Sequence, residues 1–329
     1  MKNYYFFTLL LPSLLAFGQV TPQQKQNAAE ASVNNLPNVT PSTNASTGGQ
    51  SSGSSVSSDT GAQRPISLKK ESLSFYFNYD SRYSYHSNPL LSSGPTKQQA
   101  SGIWDNVFAS TIGLGVFDMG DSVITPYAGG SWTLTDYTES VLNGLNRNTT
   151  SAFFLLLANY GGGLSGKLGL SYSNVRYTQT DTEDYMDTNP YVSLRYAHFL
   201  NQDTSGALEL TLGTRNTSSD DFFGATDKVL NRSEAVLSYA LKSQLASVSV
   251  HPTYSLLYKN YDEGSNDGRK DWMHNLSLLI DYPIDDSFSL YLLGSYASQT
   301  SSGTVLSDAG NNDYKYWNGG IGLGLTANF

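Results

Sequence analysis

Cysteine is absent from the 329 residues, which removes disulfides, thiolate catalysis and cysteine-bound zinc together. Charge is scarce as well, at 14% of residues, with a formal balance of −9. With an isoelectric point near 4.8, the chain lacks the basic patch that nucleic-acid binding requires, and no nucleic-acid partner is expected. Long apolar runs are missing beyond the N-terminus. The longest, Ala152 to Ala158, falls far short of the roughly 20 residues of a membrane-spanning helix. Only four histidines occur, His86, His198, His251 and His274, at no spacing diagnostic of a metal site. Neither a metal nor a cofactor is expected.

What remains is polar without being charged. The mean hydropathy of −0.33 comes from Ser, Thr, Asn, Gln and Gly. Aromatics reach 12%, and 23 tyrosines outnumber 14 phenylalanines. Such a chain leans toward β structure.

The N-terminus differs from the rest. Lys2 precedes an apolar run from Tyr4 to Phe17, with small residues at Ala16 and Gly18. This pattern predicts a secretory signal peptide over 1–18, cleaved near Gly18. Residues 19–69 are dominated by small polar residues, as in Ser42 to Gln63. Such a segment cannot bury enough apolar surface to offset its ordering entropy, so it reads as a disordered tail or linker.

From Leu73 onward the period is two. At the C-terminus, Trp317, Gly319, Ile321, Leu323, Leu325, Ala327 and Phe329 alternate with Asn318, Gly320, Gly322, Gly324, Thr326 and Asn328. Leu208, Leu210 and Leu212 alternate with Glu209, Thr211 and Gly213. Leu276, Leu278, Ile280 and Tyr282 alternate with Asn275, Ser277 and Asp281, with Leu279 breaking the pattern. Each is a strand with one apolar face and one small or polar face. Twelve such segments are expected, near 72–80, 105–117, 122–136, 150–160, 163–177, 189–200, 206–216, 232–245, 247–261, 270–282, 286–299 and 315–329. Those near 122–136 and 150–160 alternate worst. Most have the length that a tilted transmembrane strand needs, about ten residues.

The connections alternate long and short. Turn-like pieces occur at Asp118 to Asp121, Gly161 to Gly163, Asn201 to Ser205, Leu245 to Ser247 and Pro283 to Asp286. Longer polar pieces run from Ser81 to Trp104, Tyr137 to Thr149, Thr178 to Thr188, Thr217 to Asn231, Asp262 to Arg269 and Ser301 to Tyr314. All short turns fall at one end of the strands, the arrangement of an outer-membrane barrel with periplasmic turns and longer outer loops. With twelve strands, both termini are expected on the periplasmic side.

Residues 70–329 thus resemble a bacterial outer-membrane β-barrel of the single-chain, porin-like class. The expected fold is all-β, a transmembrane antiparallel up-and-down barrel of about 12 strands. The terminal Phe329 and the alternating Leu325, Leu323 and Ile321 resemble the C-terminal strand signal read by the barrel assembly machinery of that class. Ala327 departs from the aromatic often found there. The resemblance implies outer-membrane lipid and that machinery as partners, and location in the outer membrane of a didermic bacterium.

Candidate chemistry is sparse. The resemblance brings to mind the enzymatic twelve-stranded barrel, outer-membrane phospholipase, which uses a lipid-facing His with a Ser two residues later. Here Leu276 follows His274, Leu200 follows His198 and Thr253 follows His251 at that offset, so no enzyme is expected. Acidic runs at Asp181, Glu183, Asp184 and Asp187, and at Asp262, Glu263, Asp267 and Asp271, lack EF-hand spacing and read as solvated loop surface. More informative are charges on the polar parity: Lys167, Arg195, Glu209, Arg215, Lys242 and Asp281. On a lipid face each would cost about 2–4 kcal/mol near the midplane, so they are expected to face the lumen. There they either line a water-filled passage for small polar solutes or form a salt-bridged plug. A passive diffusion channel is the leading expectation. A structural or adhesive barrel with a closed lumen, or an autotransporter-like anchor, are the alternatives.

Overall fold

A computed structural model describes residues 73–89, 100–120, 122–181, 183–218, 231–285, 287–303 and 313–328. The expected signal peptide over 1–18, the tail over 19–69 and the terminal Phe329 lie outside the described residues. The strands are β1 (Ser74–His86), β2 (Ser101–Gly113), the two-residue β3 (Phe117–Asp118), β4 (Val123–Tyr137), β5 (Arg147–Gly161), β6 (Leu164–Tyr177), β7 (Glu183–Phe199), β8 (Thr204–Ser218), β9 (Arg232–Leu245), β10 (Val248–Tyr261), β11 (Lys270–Pro283), β12 (Phe288–Ser302) and β13 (Tyr314–Asn328).

Every pairing is antiparallel, and with the small β3 set aside each strand bonds to two neighbours, β4 also pairing with β3. The ring closes where β1 meets β13, with Tyr79 opposite Leu325 and Tyr83 opposite Ile321, and where β2 meets β4 around the small β3. Twelve strands therefore make a closed barrel. Closure leaves no edge, so the backbone N–H and C=O groups of the wall find partners within the sheet.

Period-two chemistry sets the two faces. Large apolar side chains point away from the barrel: Leu168 is 59% exposed and Leu323 54%, and Leu194, Leu210 and Leu276 are comparable. The opposite parity carries Ser, Thr, Asn, Gly and most of the charge, and it is buried. A water-soluble domain would reverse this arrangement.

Four differences from the sequence reading have physical causes. β1 runs six residues past the expected end at 80, because Tyr83 and Tyr85 continue the outer face while Arg82, Ser84 and His86 continue the buried one. β7 begins at Glu183 rather than 189, so the expected long connection at Thr178 to Thr188 shrinks to 178–182. β5 alternates poorly because its inner parity is itself apolar: Phe153 and Leu155 pack inside against Tyr127. Leu279, which interrupts the β11 pattern, likewise packs inward against Tyr291 and Leu293.

Candidate functional site

The site is the inner face of the barrel, and it is built of three polar networks and several aromatic rings. The first network gathers three of the expected residues. Lys167 on β6 donates to Glu209 Oε1 on β8 at 3.0 Å, Ser193 on β7 donates to the same oxygen at 2.6 Å, and Arg195 stands 4.0 Å from Glu209 Oε2. All three charged side chains are nine-tenths buried or nearly so.

The second network lies near the long-loop end. Arg215 on β8 donates to Asp187 Oδ2 on β7 at 2.6 Å and stands 3.5 Å from Glu234 on β9. Arg232 donates to the same Glu234 oxygen at 2.6 Å. Around the wall, Arg232 and Arg269 sit over the Tyr261 ring at 5.6 and 4.7 Å, and Arg269 forks onto Asp271 at 2.8 and 2.7 Å. Lys259 donates to Gln299 at 3.3 Å, and Tyr314 to the same Gln299 oxygen at 3.1 Å. The belt thus runs from β7 to β13.

The third network crosses the closing seam. Arg82 Nε on β1 meets Asp105 of β2 at 3.3 Å, and Thr135 of β4 donates to Asp105 at 2.6 Å. Tyr291 on β12 reaches past β13 to donate to Asp80. It can do so because Gly322 lies beneath the ring, where an added Cβ would collide with it. Gly169 underlies Tyr191 in the same way, so these rings lie flat on the wall.

Of the remaining expected lumen residues, Lys242 and Asp281 share the inner parity near the short-turn end, and each lies within the electrostatic reach of the other. Arg215, on the same inner parity, belongs to the second network, with Asp187 and Glu234. Asp187 and Asp271, expected as solvated loop surface, are instead buried inside strands and pair with arginines. That correction follows from the longer β7 and from Arg269 folding back over Asp271. The sequence reading missed Asp80, Arg82, Asp105, Arg232, Glu234 and Lys259. Parity would have found them: Arg232 and Glu234 share it with Lys242.

The histidines are dispersed. The His86 ring lies tilted against that of Tyr316 inside the barrel, with centroids 4.7 Å apart. On the outer face, His274 Nδ1 and the Tyr254 hydroxyl are 2.8 Å apart, and His198 Nε2 and the Tyr239 hydroxyl 3.2 Å apart. Of the C-terminal residues singled out in the sequence, Ile321 and Leu323 are exposed on the outer face, and Leu325 shares their parity.

All four tryptophans are outward. Trp104, Trp132, Trp272 and Trp317 are about half exposed, each packed against a ring on the next strand: Tyr83, Phe108, Tyr258 and Tyr85. Trp104, Trp272 and Trp317 lie within the first four residues of strands leaving the long-loop end. This is the interfacial belt that amphipathic rings form at a membrane surface. Phe117, Tyr160, Phe199, Tyr282 and Phe288 form its counterpart beside the short turns.

No protein-family model and no curated protein sequence matches the chain. Among solved structures it is similar to the KdgM porin, at 12% identity over 75% of this chain and 98% of that one, with a TM-score of 0.38. An outer-membrane channel from Pseudomonas putida F1 is 9% identical over 77% and 95%, with a TM-score of 0.47. The β domain of the Bordetella autotransporter BrkA is 14% identical over 78% and 99%, with a TM-score of 0.39. Closed twelve-strand wall, apolar exterior, aromatic belts and polar interior are together the architecture of a bacterial outer-membrane β-barrel.

Proposed function

We propose that this protein is an outer-membrane channel through which small polar solutes diffuse passively. The observation that carries the reading is the direction of the polar networks. The side-chain hydrogen bonds and ion pairs of the three networks described above link strands no more than two apart around the ring. A plug would need bonds across the barrel; these run along the wall. A second feature agrees. Among the described residues, Thr133 Oγ1, Thr149 Oγ1, Ser173 Oγ, Arg195 Nε and Asn275 Oδ1 are buried on the inner face without a hydrogen-bond partner, and polar atoms of that kind are normally satisfied by ordered water. Twelve strands place the bore between the filled eight-stranded and the open sixteen-stranded barrels.

The test is permeation. Liposomes carrying the purified full chain are expected to swell in an iso-osmotic small neutral sugar and to stay unchanged in a large oligosaccharide. Absence of swelling with the small sugar would favour the structural or adhesive barrel with a closed lumen.

Biogenesis follows the same reading. We propose export with loss of residues 1–18, a tail over 19–69, both termini on the periplasmic side, and recognition of Ile321, Leu323, Leu325 and Phe329 by the assembly machinery. Phe329→Ser is expected to lower the amount of protein in the outer membrane several-fold, and the mass of the purified protein is expected to lack residues 1–18. An undiminished amount of the variant would contradict the assigned role of Phe329, and an intact mass would contradict the cleavage.

A further inference from the structure

We infer that the passage selects for small anions, carried along a cationic track on one side of the bore; this rests on the channel reading above. The five contiguous strands β6 to β10 carry six inward cations: Lys167, Arg195, Arg215, Arg232, Lys242 and Lys259. Against them, among the described side chains of those strands, stand three inward carboxylates: Asp187, Glu209 and Glu234. Arg269 and two carboxylates of the adjoining β11 extend the set: Arg269 forks onto Asp271, which also attracts Lys259, and Asp281 attracts Lys242, so seven cations face five carboxylates, a surplus of two in a protein whose overall balance is −9.

The carboxylates are too few and too shared to cancel the cations. Glu209 serves both Lys167 at 3.0 Å and Arg195 at 4.0 Å. Glu234 serves both Arg232 at 2.6 Å and Arg215 at 3.5 Å. Among the described residues, the Nε of Arg195 has no hydrogen-bond partner, and Lys259 donates to the amide oxygen of Gln299 at 3.3 Å, with Glu234 and Asp271 attracting it from farther off. The track also spans the wall from end to end. Arg232 is the first residue of β9 and Lys259 is two residues from the end of β10, both at the long-loop end, whereas Lys242 lies three residues before the short turn. An entering anion therefore meets fixed cations at successive depths.

Position gives these charges their effect. A charge on a narrow passage with low-dielectric walls acts on passing ions far more than one on an open surface, because field lines are focused in the water of the bore. Arg232 and Arg269 at the long-loop end, each paired with a carboxylate, are also held by the Tyr261 ring, which helps to fix their positions.

The test is the reversal potential of the purified full chain in planar bilayers under a tenfold potassium chloride gradient, repeated with potassium acetate. The wild type is expected to favour chloride over potassium by about tenfold at 0.1 M salt, the low end of the enrichment that field focusing supports. The preference should fall toward unity at 1 M, where the screening length drops from about 10 Å to about 3 Å. Lys259→Gln, which breaks no ion pair within the described residues, and separately Arg195→Gln should each lower the ratio at 0.1 M. Acetate should carry current with the same sign of preference. A conducting protein that favours potassium, or one indifferent to ion charge at 0.1 M, overturns the anion track and leaves the channel standing. A folded protein that conducts nothing overturns the channel reading and the track with it.

Discussion

Gly320→Val is expected to abolish the folded barrel. Gly320 stands in β13 opposite Ser84 of β1 and Leu293 of β12. A Cβ there would overlap the carbonyl oxygen of Tyr83 and press on Ser84 Cα at 2.8 Å. These are main-chain atoms of the seam partner, so no side-chain rotation relieves the contact and only separation of β1 from β13 does. Opening that seam leaves a row of N–H and C=O groups facing hydrocarbon, at a cost of several kcal/mol for each unpaired group. The check is the heat-dependent electrophoretic mobility that closed barrels show in detergent. The compact band should vanish in Gly320→Val and persist in Gly319→Ala, whose added Cβ meets nothing nearer than 3.7 Å. A compact band of normal intensity in Gly320→Val would mean that the seam is not closed as described.

Asp187→Ala should produce the next largest loss. Arg215 and Asp187 are 2.6 Å apart with side chains only 2% and 1% exposed. Removing the carboxylate leaves the guanidinium with Glu234, already shared with Arg232, at 3.5 Å. Breaking a buried pair from one side typically costs about 3–5 kcal/mol, whereas replacing both partners by apolar residues is often close to neutral. The denaturant midpoint of the detergent-folded barrel should therefore fall sharply in Asp187→Ala and recover much of its value in Asp187→Ala with Arg215→Met. A single variant as stable as the wild type would place Arg215 in solvent-like surroundings and contradict the buried belt.

Much of the architecture was legible because a strand wall has a simple grammar. Alternation of Leu208, Leu210 and Leu212 with Glu209 and Thr211 marks two faces without ambiguity, and short turns at one end fix an up-and-down order. Legibility failed where both faces carry the same chemistry. In β5 the inner Phe153 and Leu155 are as apolar as the outer Phe154, so the alternation disappears although the strand does not. It failed again where polar residues continue a strand. Asp187 and Thr188 resemble loop residues, yet they belong to β7, and the ladder opposite β6 and β8 holds them there. The inward orientation of Lys167, Arg195 and Glu209 was readable from parity. Their pairing was not, because Lys167 reaches Glu209 across an intervening strand and parity says nothing of how far along the wall a long side chain extends. Tyr291 is the clearest example: its hydroxyl meets Asp80, 211 residues earlier in the chain, through a gap that only a glycine in the intervening strand provides.

The central claim is that the charged interior lies along the wall and leaves a water-filled passage. Single-channel recording of the purified full chain in planar bilayers tests it most directly, with the heat-dependent mobility shift run alongside to show that the protein is folded. Discrete, uniform current steps from the folded protein are the predicted result. Bilayers that stay at baseline while the same preparation shows the compact barrel band would contradict it and identify the three networks as the fabric of a closed structural barrel.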